Sequence, residues 1–219
     1  MPETLDFLFE NAPANGQTLE TGCGLSTLLF ADKSARHVVI SPAREEFEGV
    51  LRLCREHGIK TGGLDFQEGT SEHVLPGLET GLLDLVLIDG RHGFPAPFID
   101  WFYTASKLKV GGLMVVDDIW LWTGEVLYQF MLEQPEWELV WRYSHRTAAF
   151  RKLADGSEDL EWTSQNYVNR MGQLRRVGDE YKFTPPASQT LLERLATHAS
   201  RGEWRVLARK LLRRLNPSR

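Results

Sequence analysis

The sequence predicts an α/β protein built on a doubly wound, mostly parallel sheet of seven strands. Three observations carry that expectation. Short apolar runs alternate with amphipathic segments from residue 17 to residue 132, the rhythm of right-handed strand–helix–strand crossovers. The runs LLDLVLID (82–89) and LMVVDD (113–118) are almost continuously apolar until they end on acids, as strands covered on both faces do. Finally, two β-rich stretches, 137–143 and 147–153, are separated only by Ser144, His145 and Arg146, which suits an antiparallel hairpin closing the sheet. The expected organisation is a capping helix in residues 1–16, a domain over 17–156, and a helical, basic appendage over 157–219.

Each element has a local reason. Leu5, Leu8 and Phe9 stand at helical spacing in the first segment, which Pro13, Asn15 and Gly16 break. The first strand runs into TLETGCGLS (18–26) with Glu20 as its last side chain, and Ser26 is placed to cap a helix reaching Ala31. His37 to Ser41 reads as the second strand. Phe47, Val50, Leu51 and Cys54 mark the next helix, which Gly58 ends. Residues 63–69 read as a third strand and turn, after which Ser71 opens a short helix closed by Pro76 and Gly77. An amphipathic helix with Phe98, Trp101, Phe102 and Ala105 on one stripe spans 95–108, and residues 109–112 are expected to end it before the fifth strand begins. A further helix covers 123–132. In the appendage, Trp204, Leu207, Leu211 and Leu215 form a stripe flanked by Arg and Lys.

Composition narrows the possibilities. With 219 residues, 42% of them hydrophobic, one full core can be buried with residues to spare. Two cysteines, Cys23 and Cys54, are too few for a disulfide framework and lack zinc or redox spacing. No apolar run approaches the ~20 residues needed to cross a bilayer, and no cationic leader precedes an apolar segment, so a soluble, cytoplasmic protein is expected. The net charge of −5 argues against a general nucleic-acid partner. Its distribution is uneven: residues 201–219 carry +6 and the preceding 200 carry −11. The basic helix is therefore expected to dock on the acidic body, on a second copy in a homo-oligomer, or on an anionic surface.

The chemistry is organised around the glycine turn. Gly22 and Gly24 let the backbone turn sharply and approach a ligand, and the helix that follows presents free N–H groups. A dinucleotide-binding turn would place a third glycine at position 27, where Thr27 stands, so a smaller nucleoside ligand fits better and a nicotinamide oxidoreductase is disfavoured. Strands of such sheets place their ligands at the carboxyl edge, which brings Asp89, His92, Asp117 and Asp118 to one side. Asp117 and Asp118 point in opposite directions along a strand, which leaves open that one of them serves backbone donors instead. Trp120 and Trp122 follow, either as an aromatic wall or as core.

Four segments, ETGCG, LIDGRHG, KVGGLMVVDDI and the closing hairpin, together resemble the class I S-adenosylmethionine-dependent methyltransferases, whose domain is Rossmann-like, and within them the branch of catechol-type and macrolide-sugar O-methyltransferases. The resemblance covers roughly residues 17–153. It implies S-adenosylmethionine held by Glu20, Gly22, Cys23, Gly24, Ser26, Ser41, Glu45, Thr70, Ser71 and Asp89, with Glu20 beside the methionine portion and the glycines beside the adenosine. It implies Mg²⁺ or another divalent cation on Asp89, Asp117 and Asp118, and His92 as general base toward the hydroxyl of a small-molecule or glycan acceptor, with Asp89 part of the same catalytic group. One position departs from the pattern. Where the ribose acid usually ends the second strand, this chain has Ser41 and Pro42, with Glu45 or Glu46 as substitutes in the next turn. Two other readings follow: a metal-independent methyltransferase in which His92 alone activates the acceptor, and a non-catalytic nucleoside-binding or scaffold protein of the same fold.

Overall fold

The computed structural model describes residues 2–156, 161, 165–171, 173–177 and 180–184. The chain divides into a unit ending at Tyr167 and a second beginning at Val168. In the first unit the strands are β1 (Gln17–Thr21), β2 (Arg36–Ser41), β3 (Leu64–Glu68), β4 (Leu83–Ile88), β5 (Leu108–Val116), β6 (Trp137–Tyr143) and β7 (Thr147–Lys152). The helices between and before them are α1 (Pro2–Asn11), α2 (Leu25–Lys33), α3 (Arg44–His57), α4 (Ser71–Val74), α5 (Ala96–Ala105) and α6 (Trp122–Glu133).

The seven strands form one sheet in the order β3-β2-β1-β4-β5-β7-β6. The first five are parallel, β7 runs antiparallel to β5, and β6 antiparallel to β7. This is the doubly wound, hairpin-closed architecture that the strand–helix rhythm predicts. The strand order reverses between β1 and β4, where Thr21 pairs with Ile40 on one side and Ile88 on the other. Crossovers leave to opposite faces there, so a crevice opens at the carboxyl ends.

Side-chain alternation on the strands builds the two faces. Leu85, Leu87, Leu113, Val115 and Ala149 pack with Leu8 and Ala12 of α1 and Phe30 of α2 into one buried cluster. On the other face, Trp101 of α5 meets Phe130 of α6 edge-on at 5.0 Å. Helix α1 is fastened to the closing hairpin by Phe7, stacked on Trp141 at 4.3 Å. Among the described residues no helix is long and apolar enough to cross a membrane.

Two elements differ from the sequence expectation. Residues 109–112 do not separate helix from strand: β5 already begins at Leu108, opposite Leu83, and the register then jumps so that Leu113 faces Leu85. The intervening loop of strand is a bulge, made possible by Gly111 at φ 87°. In the second unit, where a helical appendage is expected, residues Gln173–Val177 (β8) and Glu180–Thr184 (β9) form an antiparallel pair. Tyr181 and Phe183 alternate with polar residues at the strand period, a signal that the polar composition of the region hides. The basic stripe Trp204–Leu215 lies outside the described residues.

A buried lysine stitches the fold behind the bulge. Lys152 is wholly buried, and its ammonium donates to the carbonyls of Ala105 (2.8 Å) and Leu108 (3.0 Å) while pairing with Asp155. Lys152→Met removes the donor and orphans two carbonyls, each costing ~1–3 kcal/mol when left unpaired. Denaturant unfolding is expected to show a loss of ~2–4 kcal/mol, with the midpoint moving and the slope unchanged.

Candidate functional site

The crevice holds a cavity of about 420 Å³, within the ~300–1,000 Å³ range of small-molecule sites. Its floor is the turn after β1, its walls are the ends of β2 and β4, and Thr4, Leu5 and Leu8 of α1 lie across it. Gly22 takes φ 94° and donates its N–H to Ile40 O at 2.9 Å. A Cβ at this position would lie 2.3 Å from the Asp89 carbonyl oxygen, so the main chain passes β4 too closely for any side chain. A Cβ on Gly24 meets nothing within 4 Å, because its pro-side-chain direction opens into space. These two residues form a cradle of bare backbone, the feature that a nucleoside cofactor requires, and the residues present fit one.

Beneath the cradle lies a closed polar layer. Glu20 is 1% exposed, and its carboxylate accepts the Ser26 hydroxyl (2.5 Å) and the Thr27 hydroxyl and contacts His37 Nε2 at 3.0 Å. The other His37 nitrogen bonds to Thr18 Oγ1 at 2.8 Å, and Phe30 stacks on the ring at 4.4 Å. Glu20 is therefore not on the cavity wall. It props the turn from below, and Thr27, which replaces the third glycine, is part of that prop. Ser26 does not cap α2: the helix starts at Leu25 with Gly24 at its boundary, and the only hydroxyl serving the turn's backbone is Thr27, accepting from Gly24 N–H at 3.0 Å. The Ser26 hydroxyl instead donates to the Glu20 carboxylate.

Cys23, Ser41, Glu46, Thr70 and Ser71 do reach the cavity. Burial pushes the Cys23 thiol up to about 12, which leaves it protonated and unreactive at neutral pH. Ser41 ends β2 and donates its hydroxyl to Glu46 Oε2 at 2.6 Å while accepting Ala43 N–H at 3.1 Å. The carboxylate at the second strand end is thus that of Glu46. Glu45, its neighbour on α3, is exposed and away from the cavity. Glu68 pairs with Arg44 at 3.1 Å and also stays off the wall, whereas Arg91 lines the cavity while paired to Glu72 at 3.1 Å.

The carboxyl ends of β4 and β5 supply the acidic edge. Asp89 donates its backbone N–H to Thr21 O at 3.1 Å and lines the cavity, its carboxylate without a hydrogen bond or ion pair among the described residues. Burial, then the charges of Asp117, Asp118 and Glu20, push its carboxyl up to about 8 against the pull of Arg146. Asp118, left-handed at φ 50°, holds His92 Nε2 at 3.3 Å on Oδ2, and on Oδ1 accepts Trp120 Nε1–H at 2.7 Å with Arg146 at 3.3 Å. Donor atoms of Asp89, His92 and Asp118 all lie within 4.8 Å of one another, and this set fits a divalent cation. Asp117, expected from the sequence to be a ligand, is outside the set. Its carboxylate accepts the Thr147 hydroxyl, which in turn bonds to Thr4 Oγ1 of α1 at 2.9 Å. Thr147→Val keeps the shape but strips a nearly buried carboxylate of its donor. A loss of ~1–3 kcal/mol in chemical unfolding is expected, together with weaker closure of α1.

A second buried acid lies behind the cavity. Asp100 is fully buried, accepts the Thr21 hydroxyl at 2.7 Å and backs directly on Gly90; burial raises its carboxyl to about 6 despite Ser71 and Thr21. Trp120 and Trp122 are 60% and 68% exposed, so core packing accounts for neither, and Phe94 stands 6.1 Å from Trp122. Thr4, Arg146 and Thr147 escaped sequence reading. Arg146 meets Asp118, Thr147 meets Asp117 from 30 residues away, and Thr4 bonds to Thr147 across 143 residues; no local pattern announces them.

Residues 19–119 match the family model described as a methyltransferase domain. No curated protein matches the sequence. Solved structures share the fold at low identity. An rRNA methylase from Streptococcus thermophilus is 13% identical, covering 69% of this chain and 95% of its own, with a TM-score of 0.57. The cofactor-bound protein Rv0187 from MTB is 19% identical, covering 69% and 80%, with a TM-score of 0.59. The O-methyltransferase TomG from Streptomyces achromogenes, solved with SAM, is 17% identical, covering 69% and 79%, with a TM-score of 0.56.

Proposed function

We propose that this chain is an S-adenosylmethionine-dependent methyltransferase that modifies a hydroxyl of a small-molecule or sugar acceptor, with a divalent cation such as Mg²⁺ beside the acceptor. One observation carries the reading: the bare-backbone cradle at Gly22 and Gly24 opens, within a single cavity, onto the acidic edge at Asp89. The methyltransferase-domain match over 19–119 and the shared fold support it, and structures of that fold are solved with SAM or SAH.

Each role follows from chemistry already described. S-adenosylmethionine supplies an electrophilic methyl group on a sulfonium. Glu46, held by Ser41, offers one carboxylate to two ribose hydroxyls, the task that an acid ending β2 usually performs. Thr70 and Ser71 line the same cavity and offer hydroxyls to the base. Asp89 and Asp118 would hold the cation, which would supply Lewis-acid stabilisation of an acceptor's alkoxide. The apolar faces of Trp120, Trp122 and Phe94 flank the approach to Asp118. A second reading, transfer without metal, is favoured by the His92–Asp118 contact at 3.3 Å, since a carboxylate that orients an imidazole makes it a better proton acceptor.

Calorimetric titration with S-adenosylhomocysteine, with Mg²⁺ and with chelator, tests the reading. Micromolar binding is expected; no binding at millimolar ligand sinks it. Methyl transfer that is indifferent to chelator selects the metal-free form. Glu46→Gln is expected to weaken that binding ~10-fold with little change in thermal stability, because a charged acceptor is lost at an exposed position.

A further inference from the structure

We propose that His92 is itself a ligand of the divalent cation, completing with Asp89 and Asp118 a mixed nitrogen–oxygen site that prefers a first-row transition ion such as Mn²⁺ over Mg²⁺. This builds on the reaction proposed above for the purpose of the ion, but the site stands on its own geometry.

Two ligands at right angles around an ion with bonds of ~2.1 Å sit ~3.0 Å apart. His92 Nε2 and Asp118 Oδ2 are 3.3 Å apart, close to that separation before any ion draws them in. The third donor, an Asp89 oxygen, lies within 4.8 Å of both. A closure of about 0.3 Å between His92 and Asp118, and of up to about 1.8 Å at Asp89, by rotation about side-chain bonds completes three adjacent corners of an octahedron.

The surroundings aim these donors. Asp118 Oδ1 is occupied by the Trp120 indole N–H and the Arg146 guanidinium, which leaves Oδ2, beside His92 Nε2, as the coordinating oxygen. The His92 main chain is held by the Thr123 hydroxyl, which donates to its carbonyl, so the imidazole extends from a fastened loop. Asp89 is a partly buried carboxylate on the cavity wall, within 4.8 Å of the His92 and Asp118 donors and with no side-chain hydrogen bond among the described residues, an arrangement that a bound cation satisfies. Asp117 is turned to Thr147. The site therefore exchanges a carboxylate for an imidazole, and that exchange changes its selectivity. Mg²⁺ is a hard ion that favours all-oxygen surroundings, whereas imidazole binds first-row transition ions increasingly well from Mn²⁺ onward. An imidazole bonded to the ion through Nε2 cannot accept the acceptor's proton at that atom, so the same geometry separates His92 from the base role that the sequence suggests.

The test uses the full-length protein, stripped with chelator and then loaded with Mn²⁺. Pulsed electron paramagnetic resonance is expected to show ¹⁴N modulation from a directly coordinated imidazole, absent in His92→Ala. Calorimetry is expected to give Mn²⁺ an affinity at least ~10-fold above Mg²⁺; His92→Ala weakens Mn²⁺ by ~10–100-fold and Mg²⁺ by less than ~3-fold, and Asp117→Asn leaves both within ~3-fold. Bound Mn²⁺ without nitrogen modulation, Mg²⁺ bound as tightly as Mn²⁺, or no Mn²⁺ binding at all overturns the proposal. A parallel titration with S-adenosylhomocysteine keeps the two readings apart. Nitrogen-coordinated Mn²⁺ without cofactor binding leaves the ion site and removes the methyltransferase; cofactor binding without nitrogen modulation does the reverse.

Discussion

Gly22→Ala destabilises the protein by ~2–6 kcal/mol and abolishes cofactor binding in whatever fraction remains folded. The cost has two parts. A non-glycine residue at φ 94° is strained by ~1–3 kcal/mol, and the new methyl carbon meets the Asp89 carbonyl oxygen at 2.3 Å, an overlap relieved only by moving β4 away from β1. Against a typical domain stability of ~5–15 kcal/mol this is a large fraction. Gly24→Ala is the matched control. Its backbone, at φ −169°, is extended and its Cβ has nothing within 4 Å, so thermal unfolding is expected to be unchanged. S-adenosylhomocysteine affinity is nonetheless expected to fall ~10-fold or more, since the methyl group takes space next to the ligand. If Gly24→Ala binds as tightly as the parent chain, the cradle is not where the cofactor lies.

Asp89→Asn is expected to stabilise the cation-free protein at alkaline pH while lowering methyl transfer ~100-fold or more. The unfolded carboxyl titrates near ~3.9, and in the folded protein burial and acidic neighbours raise it to about 8. Between those values the folded state binds more protons than the unfolded state, so this residue's contribution is fully present below pH ~4 and is lost as pH rises through about 8. The amide does not titrate. Calorimetric unfolding in chelator is expected to show the variant and the parent equal near pH 5 and the variant ahead by ~1–3 kcal/mol near pH 9. A divalent cation reverses the order, because only the carboxylate gains from it. Below pH 8 its binding to the parent chain releases close to one proton, measurable as a dependence of binding enthalpy on buffer ionisation heat. A parent chain whose stability is flat from pH 5 to 9 in chelator contradicts the environment assigned to Asp89.

What the sequence made legible is what short-range pattern encodes. Residues 82–89 and 113–118 are apolar without alternation, and they are the central strands; Gly58 stops α3; three residues between β6 and β7 turn the chain back. Failures came where two local signals compete or where the deciding partner is distant. Gly111 and Gly112 read as a break, yet Leu108 is already paired in the ladder, because a bulge absorbs the glycines that would end a simple strand. Ser26 has the residue type of a helix cap, but an acid six residues earlier takes its hydroxyl. Glu45 and Glu46 are equivalent as letters; a rotation of ~100° per residue along α3 separates the one that meets Ser41 from the one in solvent. Asp117 and Asp118 read as the alternating end of a strand, but β5 stops at Val116 and Asp118 turns left-handed, while Thr147 ties Asp117 inward.

The bond between Thr4 and Thr147 spans 143 residues of sequence, and it joins the helix over the cavity to the last strand inserted into the sheet. Contacts of such high order form late, since the loop they close must be paid for before any reward arrives. On a ribosome, α1 emerges before β7, and the part of its seat that Ala149 and Thr147 supply exists only once β7 has left the exit tunnel. A nascent chain arrested short of residue 147 would carry the glycine turn and the five parallel strands, but the roof over the cavity would lack its polar tie to the sheet. The polar closure of the cavity is thus completed in a late event of synthesis, and a truncation in the hairpin would be felt at the helix that precedes β1.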